Sequence, residues 1–381
     1  MRIGLSIISI FCLLLFITPV RAQELYLLAP LESTPIDTVA NGDLNLRIQN
    51  VSFFKNNEYF GEYAEGYTLP GYWFRPTLVY QVCREVRLEA GLQMLQYGGT
   101  NRADKVYPIV NIQWQMNKRF NLHIGIIDGS VHHRTHEAIL DEERAFTGRP
   151  ETGVRLRTTQ DGILSGEVWL DWQAFIKRGD TIPERFMAGI RVDYKPLYNK
   201  SERWQLHMPF RVTFSHIGGQ ISDFEEPMQS LMNMQIGAEA KRVVTRRFLK
   251  SFSVGVDYLF FDAMTGGDVR PFSSGWALEP DINVTMQHLV LDIAYWHSKD
   301  YFALHGMPLL MSLSNYQNLY TPERNILKIH LGLQHSISKA VRFSLNFKAY
   351  HDVDVSQFDY SYGFGISLTP NIRICKVRYS E

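Results

Sequence analysis

Three cysteines in 381 residues leave too few crosslinks for a disulfide-built fold. Beyond the first two dozen positions, no stretch approaches the ~20 consecutive apolar residues that a membrane helix needs, which excludes helical spans. Charge of one sign is also lacking. Lys plus Arg and Asp plus Glu number 39 each, so nothing points to nucleic acid as a partner. No period of 40–50 residues recurs, which removes a propeller. No Gly-x-Ser-x-Gly elbow or His-Glu-x-x-His zinc motif occurs either.

The beginning of the chain has the parts of an export signal. Arg2 is followed by an apolar run from Ile3 to Ile17, then Pro19 and Val20-Arg21-Ala22. A basic start, an apolar middle and small residues before the cut predict a signal peptide over 1–22, cleaved after Ala22. Losing Arg2 and Arg21 leaves 37 bases against 39 acids. Of the cysteines, Cys83 and Cys375 would remain.

Alternation with period two dominates the rest. In VRFSLNFKAY, Val341, Phe343, Leu345, Phe347 and Ala349 share one strand face, and Arg342, Ser344, Asn346, Lys348 and Tyr350 share the other. WQLHMPFRVTFS, NILKIHLGLQ and FSVGVDYLF repeat the pattern. About sixteen such segments run from 44–54 to 359–368, and most have nine to twelve residues. Soluble strands typically have ~5–6 residues, whereas a tilted membrane-crossing strand needs ~9–11. Short turns at 83–86, 117–119, 160–162 and 337–340 alternate with long loops at 55–70, 129–151, 217–230, 262–275 and 299–324. That asymmetry predicts an all-β, up-and-down antiparallel transmembrane barrel with short periplasmic turns, long extracellular loops and about sixteen strands, fourteen to eighteen being compatible. The expected division is a periplasmic extension over 23–43, a barrel over 44–368, and a tail or last strand-end over 369–381. Tyr72, Trp73, Tyr80, Trp204, Trp276, Tyr295, Tyr350, Tyr360 and Tyr362 fall mostly near segment ends, as membrane-interface aromatics do.

The whole mature chain resembles the porin-like outer-membrane β-barrels of Gram-negative bacteria. NNEYFGEYAEGYTLPGYWFRPTLVY and GEVWLDWQAFIKRGDTIPERFMAGI are similar to a largely uncharacterised group of them. The resemblance implies fold and outer-membrane location and carries over no functional residues.

If the apolar face meets lipid, the other face lines the lumen. Its pore-lining candidates are Arg75, Glu89, Arg155, Arg157, Glu167, Asp171, Arg191, Asp193, Arg211, Glu239, Asp257, Lys328, Arg342 and Lys348. Sixteen strands enclose room for water, and mixed charge would tune which solutes pass. Glu167 and Asp171 should face Arg191 and Arg211 on the next two strands. The expected function is a porin-like channel for small hydrophilic solutes, not an enzyme and without a cofactor. Its expected partners are outer-membrane lipid, the solutes, the assembly machinery and, as a homo-oligomer, further copies of the chain. Two other classes stay open: a non-conducting anchor or secretion component acting through its loops, and a barrel hydrolase. For the last, Ser215–His216 and His297–Ser298 fail as couples, because neighbours in a strand face opposite ways; a cross-strand couple stays possible.

One segment stands apart. DGSVHHRTHEAILDEER (128–144) gathers His132, His133 and His136 with five acids in an extracellular loop. The order His-x-x-His-Glu matches no zinc-peptidase pattern, so a solvated loop is the plain expectation and a weak metal site the sharper one. A third option is that the loop folds into the barrel mouth.

Overall fold

The computed structural model describes residue 36 and residues 41–377, apart from 128, 160–161, 198–202, 220, 222, 226, 245, 247 and 315. The expected signal peptide, most of the expected extension and Asp128 lie outside the described residues.

Sixteen strands follow one another around a closed antiparallel barrel. The first quarter holds β1 (Asp43–Glu58), β2 (Thr68–Gln81), β3 (Val86–Tyr97) and β4 (Lys105–Gln115). Next come β5 (Phe120–Ile126), β6 (Thr152–Thr158), β7 (Leu164–Ala174) and β8 (Glu184–Tyr194). The second half begins with β9 (Trp204–Gly218), β10 (Gln229–Val243), β11 (Leu249–Thr265) and β12 (Ser274–Met286). It ends with β13 (Leu289–Lys299), β14 (Glu323–Ser336), β15 (Val341–Asp352) and β16 (Gln357–Leu368). Closure is made by β1, whose outer half pairs with β16 from Asn50↔Leu368 to Glu58↔Tyr360. A short β17 (Asn371–Lys376) continues the seam, pairing with Asp43–Arg47 of β1. Pro370 has no N–H for the ladder, so the last strand breaks there; its carbonyl still accepts from Ile48 N–H at 3.0 Å. Strand pairing thus extends well past Leu368. Cys83, beside the β2–β3 turn, and Cys375, on β17, are both free.

The polarity is inverted relative to a soluble protein. Along β3, Arg87, Glu89 and Gln93 are buried, and Leu88 and Leu92 between them are exposed. On β4, Asn111 and Gln113 are buried while Val110 is 63 % exposed. An apolar outer belt around a polar interior is stable where the outside is lipid. Most of the interface aromatics do face outward, and Phe54, Tyr360, Tyr362 and Phe364 form a contiguous ring cluster over the seam. Trp73 and Tyr350 are exceptions: both are buried and belong to the interior.

Gly125 shows how tightly the wall is built. Its φ is +105°, and a Cβ there would lie 2.2 Å from the Val110 carbonyl oxygen, so neither the backbone nor the space admits a side chain.

Candidate functional site

The histidine-rich segment is buried, not solvated. Loop 3 (residues 127–151) turns inward and crosses the lumen from one wall to the other. At one end Phe146, in the single helical turn α1 (Arg144–Thr147), packs with Val51, Phe53, Leu69, Trp73 and Leu95 of β1–β3. The carbonyls of that turn are taken up by the same wall. Trp73 Nε1 donates to Ala145 O at 2.9 Å, Tyr97 Oη to Phe146 O at 3.0 Å, and Lys105 Nζ to Thr147 O at 2.5 Å. At the other end Ala138 and Ile139 join Tyr301, Phe302, Met307, Leu309 and Leu310 of loop 7 (300–322) against the inner face of β10–β14. Leu140 and His305 bridge the two loops as strand partners. Each fully buried large side chain contributes about 1.5–3 kcal/mol, which offsets the cost of ordering a long loop.

Charge sets the position of the crossing. Glu137 accepts from Lys328 at 2.6 Å and Lys348 at 2.8 Å, and Glu142 accepts from Lys348 at 3.0 Å. Glu143 meets Lys55 at 2.5 Å and Asn57 at 2.7 Å. Burial alone would raise the Glu137 carboxyl, but the two lysines hold it well below the usual carboxylate range. His133 is completely buried. Its Nδ1 lies 2.7 Å from Glu167, its Nε2 lies 2.8 Å from Glu151, and its ring stacks on Trp169. A carboxylate at each ring nitrogen requires two N–H donors, hence an imidazolium. Burial opposes that charge, yet Glu151 and Glu167 outweigh it and leave the pKa above its ordinary value. His136 Nε2 meets Glu279 at 3.1 Å beside Trp296, and its pKa is likewise raised. His305 behaves oppositely: burial and then Arg144 push it down to about 3, so its neutral Nδ1 accepts from Arg144 at 2.8 Å. His132 lines a small cavity with Trp73 and Arg75. Among the described residues no group of three His, Cys, Asp or Glu could hold a metal ion.

All fourteen expected lumenal charges do project inward. Arg75, Glu89, Arg155, Glu167, Asp171, Arg191, Asp193, Arg211 and Lys328 are buried; Arg157, Glu239, Asp257, Arg342 and Lys348 are half-buried. Glu89 bridges Arg47 at 2.8 Å and Arg87 at 3.1 Å. Glu167 sits opposite Arg191 in register, and its tighter partner is Arg155 at 2.9 Å. Arg191 and Arg211 are also directly opposite one another, with Asp193 between them at 3.7 and 2.6 Å. Asp171 departs from expectation: its partner is Arg149 of loop 3 at 2.7 Å, not Arg191 or Arg211. Below loop 3 the wall of β9–β15 encloses a cavity of about 440 Å³.

A different arrangement occurs on the outer face at the extracellular rim. His216, on β9, stands directly opposite Ser230, on β10, with Nδ1 3.1 Å from Oγ. Phe186 stacks on the imidazole with ring centroids 4.9 Å apart, and Trp172 stacks on Phe186. Ser215 and Ser298 point inward, as alternation requires. The serine that reaches His216 lies fourteen residues away across loop 5 (219–228), where sequence gives no register.

A closed barrel of long strands, apolar outside and charged within, defines an outer-membrane barrel of porin-like build. Among solved structures, the outer membrane protein OprD of Pseudomonas aeruginosa matches with a TM-score of 0.52 at 10% identity, over 87% of this chain and 95% of that one. OprB of Pseudomonas putida matches at 0.50 and 8% identity, over 86% and 94%. These likenesses concern fold. No curated protein matches the sequence. The model of the Lipid A 3'-O-deacylase-type family matches residues 36–377, and the chain belongs to that family. An enzymatic family overturns the expectation of a non-enzyme. That expectation rested on the failure of the adjacent Ser–His pairs and on the lack of a Gly-x-Ser-x-Gly elbow, neither of which excludes a site assembled across strands.

The His133 clamp carries a pH prediction. Because its folded pKa is raised, its stabilisation is complete below about pH 6.5 and fades as pH climbs through the raised value. Trypsin should therefore spare Arg134 and Arg144 at neutral pH and cut there in the alkaline range. His133→Gln removes the cation that Glu151 and Glu167 share, although Arg155 still pairs with Glu167, and should make the loop cleavable at neutral pH. Equal protection of both proteins at neutral pH would remove the clamp.

Proposed function

We propose that the protein is an outer-membrane hydrolase that cleaves an acyl ester of an outer-leaflet lipid at the extracellular rim of its outer wall. The observation that carries this reading is the His216–Ser230 couple, which lies within hydrogen-bonding distance on the outward parity of β9 and β10, with Ser230 itself covered to 8 % exposure. Family membership supports the proposed substrate class, an ester-linked acyl chain of lipid A. In this mechanism Ser230 Oγ attacks the acyl carbonyl carbon, and its proton passes to His216 Nδ1. The alcohol of the lipid leaves with that proton, and water then releases the acyl group from Ser230. His216 needs the tautomer with its proton on Nε2, and the Phe186–Trp172 stack fixes the ring plane. The same aromatic shelf offers an apolar seat for an acyl chain. Export on a signal over 1–22 and insertion by the outer-membrane assembly machinery belong to the same reading.

Full-length protein in detergent, mixed with purified lipid A, should release free fatty acid detectable by mass spectrometry. Ser230→Ala and His216→Ala should each lower the rate about 10²–10⁴-fold, and together no further, since the two act as a unit. Wild-type rates in Ser230→Ala would exclude the couple.

A second reading, passage of small hydrophilic solutes, is favoured by the cavity beneath loop 3 and by the charged walls around it. In planar bilayers it predicts discrete conductance steps that rise when Phe146→Ala loosens the crossing. A silent bilayer with protein inserted would count against it.

A further inference from the structure

We propose that the lumenal cavity beneath loop 3 binds a small organic cation carrying two separated ammonium or guanidinium groups. The inference is independent of the rim chemistry.

Three aspartates on adjacent strands face this cavity: Asp257 on β11, Asp281 on β12 and Asp292 on β13. The cavity's other acids have cationic partners. Glu137, Glu142 and Glu279 are taken by Lys328 and Lys348, and Glu239 by His207 at 3.5 Å. No salt bridge joins Asp257, Asp281 or Asp292 to a cation among the described residues; Asp292 accepts one long contact, from Asn283 at 3.3 Å. Glycine on the neighbouring strand makes the space for two of them. A Cβ at Gly237 would lie 1.9 Å from Asp257 Oδ1, and one at Gly255 would lie 2.2 Å from Asp281 Oδ1. Each of these two carboxylates therefore lies over the preceding strand, and the three acids make a row across consecutive strands.

A separate observation points to a donor-bearing ligand. Gln235, on β10, lines the same cavity, is 6 % exposed, and its Oε1 has no hydrogen-bond partner. A buried acceptor left unmade costs about 1–3 kcal/mol, and so needs a donor from elsewhere. Carboxylates and an amide oxygen accept at those atoms, so a ligand here carries hydrogen-bond donors, and three acids without a salt bridge favour donors that are cationic, as ammonium and guanidinium N–H groups are. The acids are too dispersed for a compact ion, as no three of them could hold a metal. An extended dication meets the row at more than one point. Lys241 on the periplasmic side and Arg211 on the basic wall disfavour a second cation beyond the row.

The test is calorimetric titration of the full chain in detergent with 1,4-diaminobutane, using 1-aminobutane and 1,4-butanediol as controls. Saturable binding is expected for the diamine, at least tenfold weaker for the monoamine and absent for the diol. Asp257→Asn with Asp281→Asn should weaken diamine binding at least tenfold, and His216→Ala at the outer rim should leave it unchanged. If the double variant fails to fold, the single Asp281→Asn carries the comparison. No saturable heat with the wild type, equal affinity in the aspartate variants, or equal binding of the diol would each overturn the proposal.

Discussion

A charge on the inner wall of a lipid-embedded barrel cannot turn to the lipid side, and most such charges here are answered from within. That constraint organises the whole interior. The strands bring Arg155, Arg191, Arg211, Lys328 and Lys348 inward because the other face has to be apolar. Some are answered along the wall by Glu167 and Asp193. The lysines of β14 and β15 and Lys55 of β1 find their acids on loop 3. Buried ion pairs are weak evidence for stability, but breaking one exposes the full desolvation cost of its partner. They fix where the loop sits, while Phe146, Ile139 and the apolar run of loop 7 supply the favourable burial.

The barrel was legible because its physics is periodic. Every strand has an apolar lipid face, so alternation marks both the segment and the direction of each side chain, and the inward set follows by parity alone. The interior was not legible, because its contacts have no period. Glu143 meets Lys55 at a separation of 88 residues, and Glu137 meets Lys348 at 211. Five acids in a loop look like a solvated surface until the lysines beneath are in place. Trp73 and Tyr350 illustrate the same limit: ring chemistry suited the membrane interface, yet parity and the loop's polar groups drew them inside. Ser230 escaped notice because the turn between β9 and β10 hides which residue faces His216.

Fold and family divide the molecule between two kinds of chemistry. The porin-like wall surrounds a charged cavity in the lumen. The family is of the Lipid A 3'-O-deacylase type, and lipid meets a barrel of this kind on its outer wall. Loop 3 packs against the inner wall, on the opposite side of the sheet from His216.

Everything inside the barrel therefore rests on loop 3 being a fixed part of the wall-to-wall core. The direct test is the labelling rate of a single cysteine at Ala138, fully buried, against one at Val355, 72 % exposed in loop 8 (353–356), with Cys83 and Cys375 replaced by serine. A water-soluble maleimide applied to folded protein at neutral pH should modify Ala138→Cys at least ~100-fold more slowly, the ratio expected when exposure requires an opening of about 3 kcal/mol. Comparable rates at the two sites would mean that the loop lies in solvent, and would contradict the account.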